Sequence, residues 1–551
     1  MGKRHQSMDW LIDGRRAFTL LAPLLCLFLA FAVSACGTEP VTKASGGTPK
    51  RGGTFIISNG EPSTLDPAIC WDAGWTVEHT IFETLYDYAP APGAAGEKLQ
   101  PVLAAAMPTV SADGLTYTIP LRKGVRFAPP VNRELTADDV RYSFERMLRT
   151  PQAPGTSFYE NVVGVPDFID RKAAHVAGFR VLDPYRIQIR LAKPDPTLLY
   201  TLAMEFCDVM PREWVQKWGR SIGRHPLGSG PFMFGHWEPG QEVVVTRNPN
   251  YRDAAHIWLD SIRFEIQYGW ERDLMRVARN QIDCTWLSQS TWLQAISSPQ
   301  LKNGVTTVAY PAMNYLVLNT QMKPFDDVRV RQAISWAIDR EKLAKVDGNY
   351  TLWQIYPRGM PGYDPKAKFY GFDPAKARAL LAAAGYPNGL ATTLYMPGGN
   401  DQSLRWGQSV QYDLKAVGVR AKLVMVPPEL YSVRSSTPRT YPLSMSQWWA
   451  DFPDPYDWIH ALFSREMAVK GGTNGSFWWD PKLEAMVADA QTTRDPAARL
   501  AKYGEMQKYI SEQAPIVPTE SIIWATLTGP HVGGYYLHLI YGVDAAHYWH
   551  R

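Results

Sequence analysis

The chain has 551 residues, with a hydrophobic fraction of 45%, a charged fraction of 20% and a formal net charge of +4. This composition is ordinary for a soluble globular protein, and the length exceeds what one hydrophobic core supports, so two or three packed units are expected. The near balance of 57 basic and 53 acidic side chains argues against a nucleic-acid partner.

The N-terminus carries the most specific local signal. Arg15 and Arg16 precede an apolar run from Ala17 to Val33, and small residues then lead to Cys36. This order predicts a secretory signal over residues 1–35, and it resembles the signals of bacterial lipoproteins, in which the cysteine, here Cys36, receives the lipid. Residues 36–50 predict a flexible tether. A plain membrane anchor is the alternative, and the arginine pair leaves the general and the twin-arginine export routes both open.

Three cysteines follow the signal: Cys70, Cys207 and Cys284. They lack the spacing of metal sites and the 11 His residues form no ligand-like cluster, so we expect neither a metal nor another cofactor. In an oxidising compartment, one disulfide and one free thiol is the simplest arrangement. Because a small buried residue suffices at Cys284, we predict the disulfide Cys70–Cys207.

Residues 51–306 are rich in strand and hairpin patterns. Residues 51–58 predict a strand, and apolar positions from Val77 to Leu85 recur at helical spacing. Residues 121–127 are strand-like, and the capping signal at Thr136–Asp139 opens a helix. Alternation around turns predicts hairpins at 181–191 and 225–251.

Short strands and helices interleave over residues 315–426, which indicates an α/β unit. Asp373-Pro374 predicts a helix start, and Gly385 stands at the expected stop. The remaining predicted elements are strands at 315–320 and 421–426, and helices that follow Asp326-Asp327, span 406–417, follow Asp480-Pro481 and include 500–510.

One short segment combines features of a solute site. Trp448 and Trp449 precede Asp451, and Pro453 and Pro455 follow. Proline fixes φ and removes a backbone donor, so the segment is predicted to be extended or turning rather than helical. Flat apolar rings beside a placed carboxylate are what a buried solute requires. The alternative is that the indoles belong to the core and Asp451 caps a turn.

Many motifs occur together in one order along the chain. They are Gly52-Gly53-Thr54, Leu65-Asp66-Pro67, Phe82-Glu83-Thr84-Leu85, Leu121–Phe127, Leu135–Val140, Gly228–Phe232, Arg247-Asn248-Pro249, Leu318-Asn319-Thr320, Pro324–Ile334, 372–386 and Trp448–Pro455. In this order they resemble the extracytoplasmic solute-binding proteins of ABC importers, specifically the peptide-binding family. The match spans roughly residues 51 to 520.

The resemblance implies an α/β fold with mixed α+β lobes, arranged as a two-lobed clamshell with an extra subdomain in lobe one. Lobe one would comprise residues 51–306 with 520–551 returning to it, and lobe two would comprise 307–519. The chain would cross between lobes near 312–319 and 515–521. The lobes would close by hinge motion and deliver solute, as a monomer, to a membrane permease driven by ATPase subunits. The binding protein itself would perform no chemistry.

The resemblance also suggests ligand-binding residues. In peptide-binding members the carboxylate of the Trp-x-x-Asp segment holds the ligand's α-amino group, so Asp451 is the expected anchor, with Trp448 and Trp449 beside it. Asp72 and Trp75 match the part of lobe one that usually faces the cleft.

Several alternatives stay open on the sequence. The neighbouring Asp454 and Asp457 are predicted to cap a turn or helix. No residue matches the family's contacts for a peptide carboxy terminus, and Lys323 and Arg358 read as ordinary surface charges. The ligand could be an oligosaccharide stacked on indoles. The acids at 451, 454 and 457 could form a glycosidase set, and a surface sensor is a third reading.

Overall fold

The computed structural model describes residues 47–266 and 269–551. The predicted signal peptide (1–35), Cys36 and most of the predicted tether (36–50) lie outside the described residues. Within the described part, no helix has both the length and the apolar character required to cross a membrane.

The described residues form a mixed set of strands and helices. The strands are β1 Thr54–Ser58, β2 Tyr86–Tyr88, β3 Leu99–Pro101, β4 Thr109–Val110, β5 Thr116–Pro120, β6 Phe179–Asp183, β7 Arg186–Arg190, β8 Phe232–Glu238, β9 Glu242–Arg247, β10 Ser261–Glu265, β11 Cys284–Trp286, β12 Val305–Leu318, β13 Tyr350–Thr351, β14 Leu390–Pro397, β15 Val419–Val426, β16 Leu443–Trp449, β17 Ile516–Thr528, β18 Val532–Gly533, β19 Leu537–His538, β20 Gly542–Val543 and β21 Trp549–His550. The α-helices are α1 Trp75–Ile81, α2 Ala137–Arg149, α3 Val165–Ile169, α4 Leu198–Thr201, α5 Arg212–Trp218, α6 Trp270–Ala278, α7 Gln289–Ser297, α8 Val328–Ala337, α9 Arg340–Asp347, α10 Pro374–Ala383, α11 Asp401–Ala416, α12 Pro428–Ser435, α13 Pro455–Phe463, α14 Pro481–Thr492 and α15 Pro496–Gln513.

One large mixed sheet organises the described part of the chain. Its strands follow the order β15-β14-β16-β12-β17-β11-β1-β10-β9-β8, and β13 pairs with β17. Strands β14 and β15 run parallel and are joined through α11, as the predicted α/β unit requires, whereas β8 and β9 form one of the predicted hairpins. A separate four-stranded sheet has the order β4-β5-β7-β6. The predicted mixed α/β fold is therefore confirmed, whereas the lobe boundaries stay a prediction.

The two longest strands, β12 and β17, lie side by side in the middle of the large sheet. They pair antiparallel from Val305 opposite Leu527 to Val317 opposite Ile516. The register shifts between Ala309 and Met313 and again between Asn314 and Tyr315. Strand β16 pairs on the other side of β12, with Ala312 opposite Trp449. The sheet thereby brings the Trp-Trp segment next to the middle of β12 and β17.

Local chemistry explains most of the predicted helix boundaries. Thr136 and Asp139 form the predicted capping box at the start of α2. The Asp373 side chain accepts a hydrogen bond from the amide of Lys376 at the start of α10, and Gly385 adopts a φ of +93° just beyond its end. Hydrogen bonds between residues close in sequence therefore set the ends of these helices.

Two sequence predictions fail within the first 150 residues. Residues 121–127 form isolated bridges at Leu121 and Arg126 instead of a strand, because their partners lie in two different segments. Helix α1 ends at Ile81, before the predicted end at Leu85, since the amide of Phe82 still bonds to Glu78 while its own backbone is already extended.

Candidate functional site

The C-terminal wall of the site is built by the end of β16 and the start of α13. The chain leaves the sheet at Trp449, turns through residues 450–454, and enters α13 at Pro455. The Asp454 side chain accepts a hydrogen bond from the amide of Tyr456 at 2.9 Å and so caps the helix. This arrangement confirms the predicted cap at Asp454 and the extended, turning segment before it.

Asp457 caps the turn before the helix rather than the helix itself. It lies in the first turn of α13, where its Oδ2 accepts a hydrogen bond from the indole of Trp448 at 3.1 Å and one from the amide of Asp451 at 3.4 Å. Its side chain also contacts the carboxyl of Asp451. Because Asp454 already caps the helix, Asp457 points back toward the preceding turn, which agrees with the predicted turn cap.

The two carboxyls form an acidic pair in which Asp457 is buried and Asp451 is half-buried. Burial raises the pKa of Asp451, and it raises the pKa of Asp457 well above its usual range, with a further increase from the negative charge of Asp451. Neither carboxylate has an ion-pair partner among the described residues. A cation that approaches the pair would favour the ionised form of both acids.

The opposite wall is built by the loop before α1. Asp72 accepts hydrogen bonds from the amides of Gly74 and Ser63, each at 2.9 Å, so this carboxylate shapes the loop. The indole of Trp75 donates to the carbonyl of Cys70 at 3.1 Å. Its ring meets that of Trp71 edge to face, with ring centres 4.7 Å apart.

The two walls enclose one cavity of about 730 Å³. All five predicted ligand-binding residues line it: Asp72, Trp75, Trp448, Trp449 and Asp451. Their placement around one space agrees with the predicted site, although their contact with a ligand stays a prediction. A volume of this size lies within the range of about 300–1,000 Å³ that is typical of small-molecule sites.

Sequence reasoning missed other lining residues. Tyr310 on β12 and Trp524 on β17 stack with ring centres 3.5 Å apart, and Trp449 lies 5.5 Å from Tyr310. Glu205, which also lines the cavity, stands in a segment without any recognisable motif. The pairing of β12, β16 and β17 brings the three aromatic rings together, and no local sequence pattern predicts that pairing.

The predicted disulfide is not present. Cys70, Cys207 and Cys284 are all buried free thiols. The Sγ of Cys207 lies 2.7 Å from the hydroxyl of Tyr159, and the thiol of Cys70 lies 3.8 Å from Asp72. The two cysteines are on neighbouring segments, but each thiol contacts its own polar partner rather than the other sulfur. The buried, unpaired state predicted for Cys284 agrees with the structure.

One group outside the cavity brings potential metal ligands together. Asp283, His531 and His550 place one ligand atom each within 4.8 Å of one another. Asp283 and His531 share a short hydrogen bond, and the Asp283 carboxylate also accepts from the amide of Ile56 at 2.6 Å. The cluster joins the C-terminal ribbon of β18 and β21 to the large sheet.

A mixed α/β fold that encloses an aromatic, acid-bearing cavity is the fold of a protein that binds a small solute. Residues 98–468 match the model of the bacterial extracellular solute-binding proteins, family 5 (middle region), and the chain belongs to this family. The expected class, a solute-binding protein rather than an enzyme, is thereby confirmed.

Three similar proteins cover most of the chain. Di/tripeptide-binding protein 2 of Pseudomonas aeruginosa (strain UCBPP-PA14) is 29% identical over 539 residues, which are 92% of this chain and 95% of that protein. The solved structure of clavulanic acid biosynthesis oligopeptide binding protein 2 has a TM-score of 0.85 at 24% identity and covers 91% of this chain and 96% of its own. The Helicobacter pylori periplasmic binding protein DppA, solved with the peptide STSA, has a TM-score of 0.74 at 25% identity, with coverage of 91% and 98%.

Proposed function

We propose that the protein is the extracytoplasmic substrate-binding component of an ABC importer and that it captures peptides for delivery to a permease with ATPase subunits. The observation that carries this proposal is the acidic pair of Asp451 and Asp457, which lines the cavity without a cationic partner. A peptide supplies the missing cation in its α-amino group. The similarity to proteins named as di/tripeptide- and dipeptide-binding supports a peptide rather than another solute.

Asp451 is the proposed contact for the ligand's ammonium group. A charge-assisted hydrogen bond inside a desolvated cavity is stronger than a neutral one. Asp457 accepts a hydrogen bond from the amide of Asp451 and so holds that residue in place. The indole of Trp448 donates a second hydrogen bond to Asp457 and fixes its carboxylate. Binding of an ammonium group would stabilise the ionised form of the pair.

We propose that the cavity opens and closes by motion between lobe one (51–306 with 520–551) and lobe two (307–519). The register shifts on β12 lie close to the predicted crossing at 312–319. Phe452, beside the acidic pair, is buried against Tyr200 with parallel rings 6.0 Å apart. This contact joins segments assigned to different lobes, and opening of the cavity would expose it.

The proposed location is the outer side of the cell membrane, with a lipid on Cys36 and residues 36–50 as the tether. The family of extracellular binding proteins supports the location. Metabolic labelling with a radioactive fatty acid tests the anchor: the wild-type protein should carry label and partition into detergent, whereas Cys36→Ala should lose both properties. Label that persists in Cys36→Ala would exclude this cysteine as the attachment site.

The first experiment is native mass spectrometry of the full chain, purified without denaturation, followed by release and identification of any bound molecule. Peptide masses would support the proposed function. A sugar mass would favour the oligosaccharide alternative, which the exposed indoles of Trp71 and Trp449 around the cavity make physically reasonable.

The anchor is tested separately with matched peptides. Asp451→Ala should weaken binding of a free-amine peptide far more than binding of its N-acetylated form, measured by isothermal titration calorimetry. Equal losses for both peptides would exclude the anchor role of Asp451.

A further inference from the structure

The charged side chains that line the cavity are of one sign, apart from two imidazoles. The carboxylates are Asp72, Asp195, Glu205, Asp451 and Asp457, and the imidazoles are those at positions 79 and 460. No lysine or arginine occurs among the described residues that line the cavity. Since the whole chain has 57 basic and 53 acidic side chains, an unselected surface would show both signs. The cavity is therefore an acidic enclosure within a nearly neutral protein.

Asp72 and Asp195 accept hydrogen bonds from their own loops, whereas the donors to Asp457 are Trp448 and Asp451, beside the cavity. Asp72 accepts from two loop amides, as described above. Asp195 accepts from the amide of Thr197 at 2.8 Å and from its hydroxyl at 2.6 Å. The hydrogen bonds of these two acids stabilise the loops that contain them, so we do not assign either carboxylate to ligand binding.

The remaining acids form two centres. One is the pair of Asp451 and Asp457, and the other is Glu205, which has no ion-pair partner within 4 Å among the described residues. Burial raises the pKa of Glu205 to about 7. Glu205, the Asp451 and Asp457 pair, and Tyr310 all line the same cavity. The two acidic centres therefore share one space that a ligand can occupy.

Arg499 and Arg358 do not line the cavity. Two nitrogens of Arg499 donate to Asp454 at 2.6 and 2.8 Å. Arg358, expected from the sequence to be an ordinary surface charge, stacks on Tyr350 with 4.4 Å to the ring centre. No described lysine or arginine therefore lies in the cavity wall to neutralise the carboxylate of a bound ligand.

The aromatic walls suit a positive charge as well. Indoles at 71, 75, 286, 448, 449 and 524 line the cavity. The ring quadrupole of an indole attracts a cation placed over its face, most strongly where water is excluded. Trp71 and Trp449 expose 44% and 39% of their surface, so both retain free area.

We propose that the cleft selects ligands with two positive charges and does not bind a ligand carboxylate by an ion pair. On the proposed peptide-binding function, on which this inference rests, the ligand is a basic peptide. Its α-ammonium group contacts the Asp451 and Asp457 pair, and its cationic side chain lies near Glu205. A free C-terminal carboxylate is tolerated only where it points away from these acids, and an acidic peptide is rejected.

The test uses four synthetic tripeptides and the full-length protein in isothermal titration calorimetry at pH 7.5. The probes are Ala-Lys-Ala amide, Ala-norleucine-Ala amide, Ala-Lys-Ala free acid and Ala-Glu-Ala free acid. We expect the lysine amide to bind at least tenfold tighter than the norleucine amide, because the two differ only in the side-chain charge. The amide should bind at least as tightly as the free acid, and the glutamate peptide should bind weakest.

Glu205→Gln tests whether Glu205 contacts the second positive charge of the ligand. This variant should reduce the ratio of lysine-amide to norleucine-amide affinity to less than threefold. Glu160→Gln is the matched control, because Glu160 is exposed, precedes the lining residue Asn161 and does not line the cavity. It should leave the ratio unchanged.

The outcomes separate this inference from the proposed function. If peptides bind but lysine gives no advantage, or if the free acid is preferred tenfold over the amide, the inference is overturned and the peptide-binding function stands. If none of the four peptides binds, the peptide function fails, and titration with the diamine cadaverine then decides the inference. Cadaverine binding that Glu205→Gln weakens would retain a dicationic ligand, whereas absence of binding, or binding that Glu205→Gln leaves unchanged, would overturn it.

Discussion

The ion pair of Arg499 and Asp454 stabilises the segment 448–455 beside the cavity, and the free energy lost when the pair is broken can be predicted. Its side chains are only 11% and 6% exposed, and the two hydrogen bonds measure 2.6 and 2.8 Å. Asp454 also caps α13, so the guanidinium group fixes the residue that begins the helix. Arg499→Met leaves a buried carboxylate without its cation, which costs about 3–5 kcal/mol in the free energy of unfolding.

The double variant Asp454→Asn with Arg499→Met isolates the charge effect. Asparagine keeps much of the capping ability, and with both charges removed no buried ion is left unpaired. We expect the double variant to be more stable than Arg499→Met alone by about 1–3 kcal/mol. Urea unfolding followed by far-ultraviolet circular dichroism gives the free energies, provided that the dependence on urea concentration is the same for all variants.

A surface ion pair serves as the control. Lys172 and Asp170 lie 2.8 Å apart, with side chains that are 66% and 57% exposed. Lys172→Met should leave the free energy of unfolding almost unchanged, because water screens this pair. If Arg499→Met costs no more than Lys172→Met, burial does not govern the Arg499 pair and the reasoning is refuted.

Two further predictions concern other parts of the fold. Burial would raise the pKa of Asp283, but hydrogen bonds, chiefly from His531, outweigh it and hold the pKa below its usual range. The stabilisation is therefore complete above the unfolded-state pKa of about 3.9 and is lost as the pH falls through the lower, folded-state value. Wild type should exceed Asp283→Asn in stability at pH 7, and the gap should narrow in acid below the unfolded-state pKa; a gap that stays constant from pH 5 to 2 in urea unfolding would contradict the assignment. Gly534→Ala places a methyl group 1.9 Å from the Trp549 ring at a φ of +68°, whereas Gly124→Ala has a similar φ of +78° and open space. The first should lower the thermal midpoint far more than the second, and equal shifts would mean that φ alone sets the cost.

Local chemistry made part of this structure predictable. The Asp373-Pro374 pair marks a helix start because aspartate caps and proline fits the first turn. The same rule holds at Asp480-Pro481, where the Asp480 side chain accepts from the amide of Lys482. Such signals depend on a few adjacent residues and need no knowledge of the fold.

Other features depend on contacts between distant segments. The local sequence does not distinguish Asp454 from Asp457. The path of the chain from β16 into α13 places Asp457 at the cavity and Asp454 beside Arg499. Glu205 carries no motif, and its exposure to the cavity results from packing against the loop before α1. The thiols of Cys70 and Cys207 are on neighbouring segments, but the direction in which each side chain points decides against a bond.

The concentration of indoles around the cavity has a practical consequence. Six tryptophans in the described part of the chain line the cavity. Their fluorescence depends on the polarity around each ring, and two of them, Trp71 and Trp449, are substantially exposed in this structure. A ligand that covers these rings would shift their emission to shorter wavelength, so the protein carries its own optical reporter of occupancy. Ligand screens can then be run on the unlabelled chain.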